Sequence, residues 1–256
     1  MRPPALWTTS WDDGHPLDLR VAEMLARHGI AGTFYVPRQA PCGTITSAQL
    51  RQLSSGFEIG AHTLRHEQLT DIPSSQSWHE ISGSKAWVED QTGRTCRMFC
   101  PPRGRFSRIH IGMAKRAGFL GLRSVELVSL APPRPSGGIW LMPTSVQARD
   151  HTLVGCLRNF AKRGAIGNFW RYLRLGGGSN WPRLAFRMLQ QVAETGGVFH
   201  LWGHSWELEE NGEWQRLDQL LHCMRSLAEP GRILTNGSVC ELAAEANQEP
   251  NPGSGR

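Results

Sequence analysis

Aspartate and histidine gather at three places in this 256-residue chain where their types and spacing could do chemistry. Asp12 and Asp13 are adjacent and precede Gly14, His62 and His66 are four residues apart, and His204 follows a largely apolar run. A helical turn would put the His62 and His66 imidazoles on one side, able to grip one metal ion. A carboxylate would complete a three-ligand site with open positions for water, as catalytic zinc requires. The same donors suit non-haem iron, so ligand type alone does not choose the metal. Neighbours on a regular strand point to opposite faces, so both aspartates can serve one site only if the chain bends there, a freedom Gly14 supplies. One carboxylate would then hold metal while the other takes a proton from water. A plainer role, capping the following helix, explains one aspartate but not two. An isolated His-x-x-x-His is equally compatible with two structural histidines; the Asp pair and His204 at matching addresses favour the site.

That shared address is the C-terminal end of a predicted strand. Residues 5–11 are rich in β-formers and lead into the Asp pair, 57–61 read as a strand ending just before His62, and 197–203 as a strand ending at His204. In parallel sheets and barrels such ends form the active-site face. Between them, apolar spacing and punctuation predict helices from Leu17 to His28 with Gly29 as its stop, from Thr46 or Ser47 to Gly56, over 74–91 (weakened by Gly83), and over 107–117. Further strands are expected at 33–36, 97–100 and 119–124. Residues 128–149, with Pro132, Pro133, Pro135, Gly137 and Gly138, read as irregular. Helices are expected at 151–162, 182–195, 214–228 and 238–246, a short strand at 232–235, and a mobile loop at Gly176-Gly177-Gly178. Strand and helix alternate at intervals of roughly 20–30 residues, which implies βαβ units and a parallel sheet. No internal repeat is found. The expectation is one α/β domain over residues 1–246, built as a barrel, with a disordered tail at 247–256.

Composition narrows the classes. Hydrophobic residues make up 39% and charged residues 20%, with ten Trp and nine Phe, which excludes a disordered chain. No apolar run approaches the roughly 20 residues of a membrane helix, and mean hydropathy is −0.36. The start, Met1-Arg2-Pro3-Pro4, has no basic segment followed by an apolar stretch, so a cytoplasmic location is the expectation. The net charge of +6 is almost wholly arginine, which suits capture of phosphate or carboxylate, although a background composition explains it as well. The basic residues look scattered and form no stripe interleaved with aromatics, which disfavours nucleic acid. Six cysteines (Cys42, Cys96, Cys100, Cys156, Cys223, Cys240) contain no C-x-x-C pair and read as buried free thiols.

Taken together, the motifs resemble those of the polysaccharide deacetylases, the NodB-like carbohydrate esterase family 4. A T-F-D-D-G motif is matched by Thr9-Ser10-Trp11-Asp12-Asp13-Gly14, with Thr9 one residue out of place. H-[S/T]-x-x-H is matched in full by His62-Thr63-Leu64-Arg65-His66, R-P-P-x-G by Cys100-Pro101-Pro102-Arg103-Gly104, and the late histidine by His204. The resemblance spans residues 5 to about 242. It implies a distorted, partly closed (β/α)7 barrel and metal-dependent hydrolysis of an N-acetyl or other N-acyl group on an amino sugar. Asp12 would be the base and His204 the acid, with Asp13, His62 and His66 holding one divalent metal. Zinc is the expected ion, with Co, Ni, Fe or Mn as alternatives. The backbone at Arg103, after Pro102, would help hold the oxyanion, and Pro102 and Trp206 would contact substrate. Trp206 has packing as its plainer role.

One position departs from the pattern. Family members commonly carry arginine where this chain has Cys100, to orient the base. Arg123, at the end of the neighbouring predicted strand, is the candidate replacement; a surface arginine is its other reading. His200 shares a strand face with His204 and reads as a core histidine. His15 reads as a loop residue, and His28, His79, His110, His151 and His222 as structural residues without partners. The expected substrate is an N-acylated amino-sugar precursor, with an acidic or phosphate-linked form included. Two alternatives stay open: a same-fold hydrolase of a small formamide or cyclic amide, and an inactive carbohydrate-binding barrel.

Overall fold

Buried β-formers set the centre of the molecule. Strand β1 (Ala5–Asp12) is buried from Leu6 to its end, as a strand covered on both faces must be. The computed structural model describes residues 3–248. Along the chain follow α1 (Asp18–His28), β2 (Thr33–Val36), α2 (Ser47–Gly56), β3 (Glu58–Ala61), α3 (Ser74–Thr92), β4 (Met98–Phe99), α4 (Arg108–Arg116), β5 (Gly121–Arg123), β6 (Arg134–Ser136), β7 (Ile139–Met142) and β8 (Val146–Gln147). The second half carries α5 (Leu153–Arg163), α6 (Ile166–Arg174), α7 (Trp181–Thr195), β9 (Gly197–His204), α8 (Ser205–Glu210), α9 (Trp214–Leu227) and α10 (Asn236–Gln248). Local signals place several ends: Gly29 takes a left-handed C-cap after α1, and Thr46 with Gln49 forms a capping box that starts α2.

The sheet order is β6-β7-β5-β4-β3-β2-β1-β9-β8. Every neighbouring pair is parallel except the β6–β7 hairpin. β7 pairs with β5 at one side of the sheet and β8 with β9 at the other, yet only residues 143–145 separate β7 from β8. Four Cα steps span at most about 14 Å, so the sheet must curl until its two sides almost meet. β7 and β8 are thus two pieces of one stave, broken where Pro143 has no N–H to give. With β7 and β8 counted as one and the short antiparallel strand β6 set aside, the staves are seven, the distorted and partly closed (β/α)7 barrel expected.

Some expectations need correction. Residues 128–149 are not irregular throughout: they hold β6, β7 and β8, with Gly137 and Gly138, both at positive φ, turning the hairpin. α6 and α8 were not foreseen. The segment 232–235 contributes only an isolated bridge, Trp7 to Ile233. The glycines 176–178 are tied down, because the Tyr172 hydroxyl donates to the Gly178 carbonyl and accepts from its N–H, both at 2.9 Å. Of the tail, 247 and 248 belong to α10 and the remainder lies outside the described residues. Among the cysteines all six are free, but Cys42 is exposed and Cys223 only half-buried.

Candidate active site

Asp12 ends β1, and there the chain leaves extended geometry. Asp13 has φ +78° and Gly14 φ +61°, so the bend falls on Asp13 itself and not on Gly14 alone. The two carboxylates can therefore serve one cleft of about 420 Å3, lined among others by His62, His66, Arg103, His204 and Trp206. His62 and His66 reach it from the loop after β3, which is not the helical turn expected. Thr63 (φ +63°) and His66 (φ +57°) are left-handed, a costly geometry for non-glycine residues that clusters at functional sites. Glu80 of α3, itself buried, accepts the Leu64 and Arg65 N–H groups at 2.8 and 2.9 Å and holds this loop.

Asp13 Oδ1 lies 3.4 Å from His62 Nε2 and 3.0 Å from His66 Nε2, and the three residues form one potential metal-holding group. The fit to a divalent cation rests on two observations. Asp13 Oδ1 is buried without a hydrogen-bond partner among the described residues. His62 Nδ1 meets the Cys100 carbonyl at 2.7 Å; carrying the proton there leaves the Nε2 lone pair directed into the site. Burial opposes charge on Asp13, but His62 and His66 outweigh it and hold the carboxyl well below its usual range. Its Oδ2 accepts the Trp206 indole N–H at 3.0 Å, so Trp206 lines the cleft and also fixes a carboxylate.

Arg123 enters from the end of β5. It is fully buried and bonds both carboxylate oxygens of Asp12. Its guanidinium lies 4.6 Å from the Trp202 ring centre and 5.3 Å from that of Tyr35. Cys100 Sγ stands 3.9 Å from Asp12 Oδ2, a weak contact beside the guanidinium. Arg103 lines the cleft in a left-handed turn (φ +55°). Pro102, expected to contact substrate, is buried just before Arg103 and is not among the residues that line the cleft.

His204 ends β9. Its Nδ1 is 2.7 Å from Glu207 Oε2, and its Nε2 is 3.9 Å from Asp13 Oδ2. Burial disfavours its charged form, but the Glu207 hydrogen bond and the carboxylates of Asp12 and Asp13 push its pKa up to about 9. Glu207 is also held by Gln147 Nε2 at 2.9 Å and by Arg149. His200 is a core residue: Nε2 meets Ser10 Oγ and Nδ1 the Pro143 carbonyl, each at 2.9 Å, and burial, with Arg123, lowers its pKa to about 3. Three other histidines differ from expectation. His110 Nδ1 accepts the Ser107 N–H at 3.0 Å in a capping box that starts α4. His28 pairs with Asp218 at 2.8 Å, and His151 lines the cleft. Sequence reasoning also missed Glu207, Gln147, Arg149 and Asn159. Only Glu207, three residues after His204, had a local signal.

The polysaccharide deacetylase family model matches residues 2–122. A bifunctional xylanase/deacetylase from Pseudobutyrivibrio xylanivorans is 27% identical over 36% of this chain, and a peptidoglycan-N-acetylglucosamine deacetylase from Listeria monocytogenes is 29% identical over 39%. The aligned parts amount to 16% and 22% of those proteins. Among solved structures, a polysaccharide deacetylase candidate from Mycobacterium smegmatis superposes with TM-score 0.69 at 14% identity, over 100% of this chain and 96% of that one. A carbohydrate esterase family 4 pseudoenzyme from Bacillus anthracis gives 0.55 at 14%, over 94% of this chain and 66% of that one. At such identities these structures establish the fold, and the resemblance read from the motifs is borne out.

Proposed function

From a chain that is polysaccharide deacetylase-like in its motifs, its first 122 residues and its fold, we propose a hydrolase that removes an N-acetyl group from an amino sugar. The observation that carries this reading is the meeting of Asp12, Asp13, His62, His66 and His204 in one cleft. Asp13, His62 and His66 would hold a divalent ion, and such an ion supplies a polarised acyl carbonyl and a more acidic water. Asp12, held by Arg123, accepts the proton that the attacking water loses. The N–H of Arg103, in its left-handed turn, is the candidate donor to the oxyanion, a contact often worth about 3–4 kcal/mol. His204 Nε2, protonated and oriented through Nδ1 by Glu207, delivers a proton to the departing amine. In this reading Arg123 takes the place of the arginine missing at Cys100, which makes an inactive barrel the weaker alternative.

Metal analysis with acetate release from N-acetylglucosamine oligomers, beside formamide and cyclic-amide substrates, tests the proposal. The wild-type protein should carry one divalent ion and release acetate from the sugar. Asp12→Asn should keep the metal and lose turnover by about 10²-fold or more, whereas His66→Ala should lose metal. Equal metal in wild type and His66→Ala would remove the ligand assignment. Turnover of only the small amides would transfer the function to that class.

A further inference from the structure

Helices α5 and α6 face the wrong way for buried amphipathic helices. Leu153, Val154 and Leu157 on α5, with Ile166, Trp170 and Leu173 on α6, are between 40% and 70% exposed. They make up six of the nine large hydrophobic residues that are exposed among those described. In α6 the apolar residues recur at the spacing that normally faces a core, yet the buried positions are Asn168 and Tyr172. The helix is fastened by polar contacts instead. Asn168 Nδ2 donates to the Leu127 carbonyl at 3.0 Å and Arg171 to that of Val128 at 2.9 Å. Phe160 and Phe169 pack between the two helices, with ring centres 6.3 Å apart, beneath an outward-opening apolar groove.

The charge of this region has one sign. Between residues 151 and 193 the sequence holds seven Arg and Lys and no Asp or Glu, so the rest of the chain carries a net charge of −1. The other 21 basic residues are spread along the chain as expected, so what sets this segment apart is its lack of acids. Arg158, Lys162 and Arg174 are exposed. Neither they nor Arg171 form an ion pair among the described residues.

We propose that the α5–α6 hairpin docks this protein on an anionic lipid surface. An exposed apolar face rimmed by cations lies in the headgroup boundary, where apolar burial and attraction to anionic lipid add. No described helix is long and apolar enough to cross a membrane, so the hairpin lies on the surface. A second copy is the competing occupant, but a twofold contact sets a face against itself and would bring the exposed Arg158, Lys162 and Arg174 of both copies onto one interface. Docking also places the cleft near the lipid. Asn159 of α5 lines the cleft and donates to the Val125 carbonyl at 2.8 Å, and His151, just before α5, lines it too. The proposal stands independently of the deacetylase reading, since its evidence is the hairpin's exposure and charge.

Flotation of the full chain with phosphatidylcholine vesicles containing phosphatidylglycerol, against phosphatidylcholine alone, is the test. The wild-type protein should float with the anionic vesicles and less so with neutral ones, and added salt should weaken the association. Ile166→Asp with Trp170→Asp should lower the bound fraction by about tenfold or more, at an unchanged melting temperature and metal content. No wild-type flotation, or undiminished flotation of the double variant, would overturn the proposal. So would a stable dimer in solution that the same substitutions dissolve, since the occupant would then be a second copy.

Discussion

Asp12 and Arg123 lie 111 positions apart in sequence and share a buried ion pair at the floor of the cleft. A buried carboxylate left without its partner costs about 3–5 kcal/mol, so Arg123→Ala should be less stable as well as less active. The expected result is kcat/KM lower by about 10²-fold or more at unchanged metal content, with Cys100→Arg in that background restoring part of the activity. Full activity in Arg123→Ala would show that Asp12 needs no such partner. His204 makes a second prediction, for metal-free protein. Against burial, Glu207 together with Asp12 and Asp13 raises its pKa to about 9 from an ordinary 6.5, so the imidazolium contributes stability that is complete below pH ~6.5 and is lost as pH rises through ~9. Glu207→Gln should move the His204 titration, followed by NMR, down from about 9, with Asp12 and Asp13 keeping part of the shift, and shrink this pH dependence. A titration that stays near 9 would remove Glu207 as the cause.

The loop between β3 and α3 carries His62 and His66, the two histidines proposed to hold metal. Its left-handed residues are unfavourable alone, and the Glu80 carboxylate supports the loop by accepting the Leu64 and Arg65 N–H groups. Glu80→Ala should therefore lower divalent-metal affinity by about 10–100-fold, the usual cost of removing support behind a ligand, as read by competition with a chelator. Unaltered affinity would mean the loop holds its shape without the carboxylate. Strands and helices with strong local punctuation, such as α1 with Gly29 and α2 with Thr46, were legible in the sequence. The β6–β7 hairpin was not, because Pro133 and Pro135 masked a Gly-Gly turn beside an apolar run.

Closure of the barrel depends on the three residues between β7 and β8. Ser145 is buried there; its hydroxyl donates to the Ser129 carbonyl at 2.7 Å and accepts the His200 N–H at 2.9 Å. Ser145→Ala would strand that N–H in the core, so stability should fall by about 1–3 kcal/mol. Urea unfolding would show it as a lower midpoint at unchanged slope. An unchanged midpoint would mean that backbone pairing alone holds the seam.

By itself the sequence determined the candidate side chains for chemistry and where each stands relative to its strand. Asp12-Asp13-Gly14, His62-x-x-x-His66 and His204 are local signals, and alternation of strand and helix places their strand ends on one face. Tertiary structure decided the partners. Arg123 meets Asp12 only because the curled sheet brings the end of β5 across to the end of β1. Glu207 meets Gln147 and Arg149 only because β8 lies beside β9. Neither pairing leaves a trace in local periodicity, since curling comes from the accumulated twist of all the strands. Burial then adds the reason these charges must meet: a carboxylate shut away from water is tolerated only where another part of the chain brings it a partner.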